Sequence, residues 1–419
     1  MIARASKLHL PTLRDAPSDA EALSHKLLVR GAYVRQVAAG VWSFLPLGWR
    51  VHQNVVQVVR EEIDGIGGQE MLMPVLTPFE LWQQSGRDYI DEIFRLKDRF
   101  GRDYVLPMTH EETVTFHARE IQSYRDLPQI LYHFSIKERD APRPRAGLIR
   151  VREFIMKDSY SFDRDEEGLD ASFQAHKRAY ERIFERCDLE AYGVEAESGI
   201  MGGKESIDFL APAPAGENVL VTCENGDYGA DQEIARGIPR TPEFPERLDA
   251  PAEIETPGTT TIATLARFLD IPETRTAKAA FMVAGDGRLV TAIVRGDLEV
   301  NETKLANAVG ASTGLRPATV EEIRAAGMEP GYGSPIGAKG TVVVVDELVA
   351  RSPNLVAGAN REGFHYRNVN VGRDYTADVT ADITNAREGD PCPTCGQAVV
   401  LRNGIEVGNI FKLGTKFTD

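Results

Sequence analysis

This 419-residue chain has few cysteines, no long apolar run and no excess of positive charge. No stretch of about 18 apolar residues occurs, and charges and prolines interrupt the N-terminal segment, so neither a membrane-spanning helix nor a signal peptide is expected. The 63 acidic residues exceed the 48 basic ones, and the resulting net charge of −15 argues against a general nucleic-acid coat protein. Four cysteines are too few for a disulfide scaffold. We therefore expect a soluble, cytoplasmic protein with no membrane or DNA partner.

The first half of the chain alternates helical and extended patterns. Val55, Val59 and Ile63 share one face of a helix predicted over VHQNVVQVVREEI, which Gly65 ends before an extended run, MLMPVLTPF. A second helix is predicted over ASFQAHKRAYERIFERC, where Cys187 is interpreted as a core thiol.

Near residue 211 the composition changes, and the proline-rich stretch GIPRTPEFPERLDAPAEIETPGTT is interpreted as a linker or domain boundary. A self-contained α/β pattern follows. Its predicted elements are helices over TIATLARFLDI and NETKLANAV, a hairpin AAFMVAGDGRLVTAIV that turns at Asp286–Gly287, a helix from Thr319 with Glu322 in a capping box, and strands in TVVVV and GFHYRNVNVG. The last run, VVLRNGIEVGNIFKLGTKFTD, is extended.

Five arginines lie between Arg139 and Arg152, in the loop between two extended runs of IKERDAPRPRAGLIRVREFIMKDSYSF. Guanidinium groups bind phosphate oxygens in a bidentate manner, so a strand-loop-strand hairpin of this kind is typical of a triphosphate site. From residue types alone, a solvated basic hairpin remains the alternative.

The spacing of Arg139, Arg150, Phe154 and Asp158 resembles motif 2 of class II aminoacyl-tRNA synthetases, and the helix-to-strand unit that ends at Pro74 resembles their motif 1. The resemblance implies that Arg139 binds the α-phosphate of ATP, that the loop 141–149 contacts adenine and the tRNA acceptor end, and that Phe154 stacks on adenine. It makes Arg139 and Arg150 the candidate catalytic residues. The candidate ATP-binding residues are Arg139, Arg150, Arg152 and Phe154.

The segment LPMTHEETVTF, together with the arginine-rich hairpin, is similar to the bacterial type of prolyl-tRNA synthetase. The resemblance implies that Thr109 and Glu111 line a proline pocket. A carboxylate suits the secondary ammonium of proline, so Glu111 is the candidate counter-ion.

The inserted α/β segment resembles the editing insertion of the same family, which hydrolyses alanine mischarged onto the proline tRNA. A pocket that admits proline cannot exclude the smaller alanine, because a difference of one or two methylenes is worth only about 1–3 kcal/mol. The resemblance makes Lys278, His365 and the loop residues Gly331, Ser334 and Pro335 the candidate editing residues. Residue types alone would make Lys278 a surface lysine and His365 an ordinary half-buried histidine.

The chain departs from the family pattern at Glu138 and Ala141, which flank Arg139, and at Asn409, where many members have histidine. No motif 3 and no anticodon-binding domain are recognised, so the sequence is interpreted as truncated before them.

Cys223, Cys392 and Cys395 suggest a zinc ribbon that joins the two connections of the insertion. Tetrahedral zinc takes four ligands, and Gly226 stands three residues after Cys223. We therefore expect a three-cysteine remnant without metal in preference to a filled site.

The predicted fold class is α+β: a class II antiparallel-sheet catalytic domain with an inserted α/β editing domain. The predicted domains are 1–222 (catalytic), 223–395 (editing, with its connections) and 396–419 (return to the catalytic domain, incomplete). The predicted function is ATP- and Mg²⁺-dependent ligation of proline to its tRNA by a homodimer formed through motif 1, with editing of mischarged alanine. The alternative is a truncated or non-aminoacylating paralogue that binds or deacylates tRNA through the insertion.

Overall fold

The computed structural model describes residues 4–197, 205–238, 250–311 and 314–418, which form two compact units. Unit 1 comprises Met1–Val194, Ser198–Asn218 and Asn403–Asp419, and unit 2 comprises Glu195–Glu197 and Val219–Arg402. Residues 239–249 of the predicted linker lie outside the described residues. Within the described ranges, no helix has both the length and the apolar character needed to span a bilayer.

Both units combine helices with largely antiparallel sheets, which confirms the α+β class. The elements up to residue 212 are α1 (Leu23–Arg30), β1 (Val34–Ala38), β2 (Val41–Phe44), α2 (Pro46–Asp64), β3 (Gly68–Glu70), β4 (Thr77–Pro78), α3 (Phe79–Gln84), β5 (Phe94–Lys97), β6 (Asp103–Leu106), α4 (Glu111–Ala118), β7 (Gln129–Glu138), β8 (Glu153–Phe162), α5 (Glu166–Arg186), β9 (Tyr192–Glu195) and β10 (Glu205–Pro212). The later elements are β11 (Asn218–Cys223), β12 (Gly229–Asp231), β13 (Ala252–Glu255), α6 (Ile262–Leu269), β14 (Ala277–Ala284), β15 (Leu289–Arg295), α7 (Glu302–Val309), β16 (Leu315–Pro317), α8 (Val320–Ala325), β17 (Thr341–Asp346), α9 (Glu347–Ala350), β18 (Leu355–Gly358), β19 (Phe364–Val369), β20 (Val379–Ala381) and β21 (Val399–Lys412).

Helix α2 forms where the apolar periodicity predicted it. Pro46 occupies its first turn, where a missing N–H costs nothing, and Gly65 follows its last residue. The extended run predicted next was largely wrong, because only Thr77–Pro78 pairs as a strand. Pro74 and Pro78 cannot donate to a ladder, so the backbone between β3 and β4 is irregular.

The arginine-rich loop is held by a long antiparallel hairpin of β7 and β8. The pairing runs from Gln129 opposite Phe162 to Glu138 opposite Glu153, and β3 pairs with β7 in parallel. Helix α5 packs its predicted apolar face on β10 and β21, where its phenylalanines meet Phe209. The hairpin therefore presents residues 139–152 from a rigid base.

Unit 2 contains a five-stranded sheet in the order β16-β14-β15-β17-β20 and a three-stranded sheet in the order β13-β19-β18. The predicted hairpin turns at Gly287, whose φ of 88° favours glycine. Thr319 and Glu322 form the predicted capping box of α8. The predicted helices over α6 and α7 and the strands β17 and β19 are confirmed.

Candidate functional site

One large cavity in unit 1 collects most of the residues predicted to act on ATP and proline. Its volume is about 1780 Å³, and its lining includes Thr109, Glu111, Arg139, Arg150 and Phe154. The hairpin, the start of α4 and the unit 1 part of β21 thus contribute to a single concave site, which is the usual form of a small-molecule site.

Arg139 is a half-buried cation at the wall of this cavity. Its backbone N–H donates to the carbonyl of Arg152 at 2.8 Å, which fixes the base of the loop. Its guanidinium carbon lies 5.2 Å from the centroid of the Phe154 ring, and its buried Nε has no hydrogen-bond partner among the described residues. Burial lowers the pKa of Arg139, and the carboxylates of Glu406 and Glu92 partly oppose that shift. A donor of this kind is ready for an anionic ligand.

Two of the other loop arginines, Arg145 and Arg150, are held by one acidic side chain. Arg145 Nε and Arg150 Nη1 donate to the two carboxylate oxygens of Glu217, at 2.5 and 3.0 Å. Arg152 is not among the residues that line the cavity, and its Nε donates to the carbonyl of Ala141 at 3.1 Å. The structure therefore brings Arg139, Arg150 and Phe154 together and assigns Arg152 to the support of the loop.

The candidate proline-binding residues are organised by Arg87. Its Nη1 lies 2.9 Å from Glu111 Oε2 and 3.0 Å from Glu112 Oε1, and its Nη2 donates to the Thr109 hydroxyl at 2.9 Å. The ring of Trp82 lies beneath the guanidinium, 4.7 Å away. All three charged side chains are almost completely buried.

Two carboxylates share this one guanidinium, so Arg87 alone cannot neutralise both when they are ionised, and Lys416 also acts on both electrostatically. Desolvation raises the pKa of Glu112, and the charge of Arg87 opposes the rise. Ser85 also donates to Glu112 at 2.8 Å, and Glu112 does not line the cavity, whereas Glu111 does. Glu111 is therefore the carboxylate placed to meet a ligand cation.

A buried polar network lies behind the hairpin. Lys137 Nζ is 2.6 Å from Asp158 Oδ2, contacts His110 Nδ1, and is 3.4 Å from His133 Nε2. The Tyr160 hydroxyl donates to Asp158 at 3.1 Å and accepts from the backbone N–H of His110 at 2.7 Å. Although two histidines and an aspartate could suit a metal ion, the lysine ammonium occupies that position and neutralises the carboxylate.

The network connects His110, the residue before Glu111, to the backbone at Pro74. His110 Nε2 lies 3.0 Å from the carbonyl oxygen of Pro74, so the ring fixes the turn that leads into α4. Hydrogen bonds from its neighbours and the charge of Lys137 hold the pKa of Asp158 well below its usual range, against the effect of burial. The network thus helps to position Glu111, and two of its members, Asp158 and Tyr160, line the cavity themselves.

In unit 2, His365 and the glycine-rich loop lie together. Thr256 Oγ1 is 2.6 Å from His365 Nδ1, and the ring of Tyr332, next to Gly331, has its centroid 5.4 Å from the imidazole centroid. Burial lowers the pKa of His365 to about 4, so the ring is neutral at pH 7. Gly331 has a φ of 82°, which favours glycine.

Asn360 holds the rest of this loop. Its side chain accepts from the Ser334 N–H at 2.8 Å and donates to the carbonyls of Ser334 and Ile336 at 3.1 and 2.7 Å. Ser334 and Pro335 are both buried, and Ser334 Oγ has no hydrogen-bond partner among the described residues. Lys278 lies on a different sheet, in β14, and its ammonium contacts Glu299 at 2.5 Å.

The three cysteines predicted as a metal-site remnant converge in unit 2. Their sulfur atoms all lie within 4.8 Å of one another, and Cys223 and Cys392 are buried. Cys187 is half-buried at the end of α5, where burial raises its pKa, as the interpretation of a core thiol implied.

The sequence of the chain is similar to those of known proteins. The family model of the aminoacyl-tRNA editing domain matches residues 256–375, which include Lys278, His365 and the glycine-rich loop. The proline–tRNA ligase of Salinispora tropica is 51% identical over 97% of this chain and 70% of its own length. The chain belongs to the proline–tRNA ligase family. The resemblance seen in the sequence is thereby confirmed.

Further members of the proline–tRNA ligase family show similar identity. The enzyme of Dehalococcoides mccartyi is 48% identical over 98% of this chain and 72% of its own. The enzyme of Moorella thermoacetica is 46% identical over 99% and 73%, respectively. A solved prolyl-tRNA synthetase of Cryptosporidium parvum, complexed with L-proline and AMP, has a TM-score of 0.43 at 14% identity, covering 48% of this chain and 43% of that one.

Sequence reasoning missed Arg87, Glu112 and Lys137. Arg87 follows Gly86 in a loop, and no periodicity distinguishes it from a surface arginine. Lys137 could have been found, because it occupies a position in β7 whose alternate residues, His133 and Ser135, are also polar and buried. A run of inward-facing polar residues in one strand is a recognisable sign of a buried network.

Proposed function

We propose that this protein is a class II proline–tRNA ligase that activates proline with ATP in unit 1 and removes mischarged alanine in unit 2. The observation that carries the first part is the state of Arg139. Its buried Nε has no hydrogen-bond partner among the described residues, and its guanidinium lies over the Phe154 ring at the wall of the cavity.

The proposed role of Arg139 is to hold the α-phosphate while the proline carboxylate attacks it. Negative charge develops on the phosphate oxygens in that transition state, and a preorganised cation in a low-dielectric site stabilises it strongly. Phe154 is free to stack on adenine once the phosphate has taken its place beside Arg139. Binding of both substrates in one cavity supplies orientation, so the protein needs to do little covalent chemistry.

Selection of proline is assigned to Glu111 and Thr109. The carboxylate of Glu111 faces the cavity, and the negative charge left over beside Arg87 is suited to the secondary ammonium of proline. Thr109 receives its hydrogen bond from Arg87, which fixes the orientation of its hydroxyl.

Mg²⁺ is proposed to enter with ATP. Glu92 and Glu406 line the same cavity and offer carboxylate oxygens, which are the ligands that Mg²⁺ prefers. When bound, the ion would neutralise phosphate charge. The remaining partners are the proline tRNA and a second copy of the chain through motif 1, and the proposed location is the cytoplasm.

The editing part of the proposal rests on His365 and the loop that Asn360 clamps. A neutral, buried imidazole is suited to form a wall of a small pocket, and the held backbone of residues 331–340 is suited to bind the 3′ end of the tRNA. Lys278, on a separate strand, is proposed to contact the tRNA phosphates after leaving Glu299.

Proline-dependent exchange of pyrophosphate into ATP tests the activation step, measured on the protein expressed from its native gene. Arg139→Ala should abolish exchange while the fold remains intact, because the α-phosphate loses its cation. Arg143→Ala is the matched control, since Arg143 is exposed on the same loop and does not line the cavity. Near-normal exchange in Arg139→Ala would refute the proposed role.

A further inference from the structure

Three thiols from two distant parts of the sequence, Cys223 and the close pair Cys392 and Cys395, meet in unit 2. The sulfur of Cys223, the last residue of β11, is 3.1 Å from that of Cys395, and the sulfur of Cys392 completes a group with all sulfurs within 4.8 Å of one another. None of the three forms a disulfide. Carbon atoms pack at about 3.5–4.0 Å, so the sulfurs are closer than ordinary packing of small apolar side chains requires.

The turn that contains Cys392 and Cys395 is held by backbone hydrogen bonds and directs a backbone N–H at one of the sulfurs. The N–H of Cys392 donates to the carbonyl of Gln397 at 2.6 Å, and the N–H of Gly396 donates to the carbonyl of Cys392 at 3.0 Å. The Thr394 N–H points to Cys392 Sγ at 3.4 Å. Because an N–H donor stabilises a thiolate, this turn favours the form of cysteine that binds metal.

The turn after Cys223 is held by a similar pair of backbone hydrogen bonds. The N–H of Cys223 donates to the carbonyl of Tyr228 at 3.0 Å, and the N–H of Gly226 donates to the carbonyl of Cys223 at 2.9 Å. Gly226 stands where the fourth ligand of a four-cysteine site would be expected, and a Cβ built there would meet no atom within 4 Å. Gly226 itself therefore offers no side-chain ligand to the three sulfurs.

We propose that Cys223, Cys392 and Cys395 bind one thiophilic divalent cation of the Zn²⁺ class through three thiolates, with the fourth position open to water or a small ligand. Zinc–sulfur bonds are about 2.3 Å long, so tetrahedral geometry places the sulfurs about 3.8 Å apart, which small movements from the present positions achieve. Three sulfur ligands select against Mg²⁺ and Ca²⁺, which prefer oxygen.

This proposal replaces the expectation, drawn from the sequence, of a remnant without metal. That expectation rested on the missing fourth cysteine, but three protein ligands and one exchangeable ligand are sufficient for zinc. The main segment of unit 2 begins at Val219 and ends at Arg402. Cys223 is near its start and the other two cysteines are near its end, so the cation would link the two ends of this segment. The proposal does not depend on the proposed ligase activity.

Zinc binding can be measured on the whole chain. The protein is reduced, stripped of metal with a chelator and titrated with Zn²⁺ in competition with a chromophoric chelator, and Co²⁺ is used in parallel to detect sulfur-to-cobalt charge-transfer absorption. We expect one Zn²⁺ per chain and an intense cobalt spectrum. Cys392→Ser and Cys395→Ser should each weaken binding at least tenfold, whereas the control Cys187→Ser, in unit 1, should bind as the parent does.

Three results would overturn the proposal: no stoichiometric zinc, zinc binding that survives both serine variants unchanged, or a Cys223–Cys395 disulfide in the isolated protein that still forms when zinc is present during purification. If Cys392→Ser fails to fold, Cys395→Ser decides, because Cys395 is only half-buried.

Discussion

Removing Arg87 should destabilise unit 1 in a way that depends on pH. Arg87→Gln deletes the guanidinium that Glu111 and Glu112 share, and the three side chains are only 2%, 6% and 2% exposed. Removing one partner of a buried ion pair typically costs about 3–5 kcal/mol, because the remaining charge is left without compensation. We expect a loss of this size in the free energy of unfolding at pH 7.

The expected pH dependence follows from the carboxylates. Without Arg87, two adjacent buried carboxylates should raise each other's pKa further, beyond the rise that desolvation already produces at Glu112. The folded variant then binds a proton that the unfolded chain does not, in the window above the unfolded pKa of about 4.3. Stability therefore falls as pH rises through that window, and the defect of the variant should be smaller at pH 5 than at pH 7.

Tryptophan fluorescence during urea unfolding measures this effect in unit 1 alone, because Trp42, Trp49 and Trp82 all belong to it. The double variant Arg87→Gln/Glu112→Gln should be more stable than the single one, since it leaves one carboxylate where the single variant leaves two. Arg102→Gln, which removes an exposed ion pair with Asp98, is the surface control and should leave the midpoint unchanged. A loss below about 1 kcal/mol with no pH dependence would refute the account of a shared counter-ion.

Two further predictions concern editing and a buried histidine. Lys278→Ala should slow hydrolysis of Ala-tRNA by about one to two decades in rate, which corresponds to the loss of one charge-assisted hydrogen bond. Glu299→Gln removes the partner of Lys278 and should not slow the reaction. Equal rates in Lys278→Ala and the parent would contradict the assignment. His365→Ala should instead allow Pro-tRNA to be hydrolysed, because a pocket wall is lost. Burial lowers the pKa of His176 to about 4, so the full contribution of this residue to the stability of unit 1 is present above pH 6.5 and is lost as the pH falls towards 4. His176→Gln should therefore make the unfolding transition, followed by fluorescence, less dependent on pH in this range. An unchanged pH dependence would count against a buried neutral ring.

Local patterns predicted the elements well where a single physical signal dominated. The periodicity of α2 and α5, the Asp286–Gly287 turn and the Thr319–Glu322 capping box all act over a few residues, and each appears in the structure. The extended structure predicted for the apolar run after β3 was largely wrong, because apolar residues alone do not form a strand where prolines remove the backbone N–H donors.

The contacts between residues within the candidate sites could be identified only from the tertiary structure. Family motifs indicated Glu111 and Arg139, but the sharing of Arg87 between two carboxylates depends on a loop 24 residues away. The convergence of Cys223 with Cys392 and Cys395 likewise depends on the pairing of distant strands, which counting cysteines cannot reveal. Contacts across such sequence separations leave no local periodicity to detect.

The most direct test of the account is whether the cavity of unit 1 recognises the ring nitrogen of proline through Glu111. Isothermal titration compares L-proline with tetrahydrofuran-2-carboxylate, which keeps the five-membered ring and the carboxylate and lacks the ammonium. We predict that the parent binds proline and not the analogue. Glu111→Gln should lose this discrimination and Glu112→Gln should largely keep it, since Glu111 lines the cavity and Glu112 does not. Equal binding of both ligands by the parent, or unchanged discrimination in Glu111→Gln, would contradict the assignment of this cavity as the proline site.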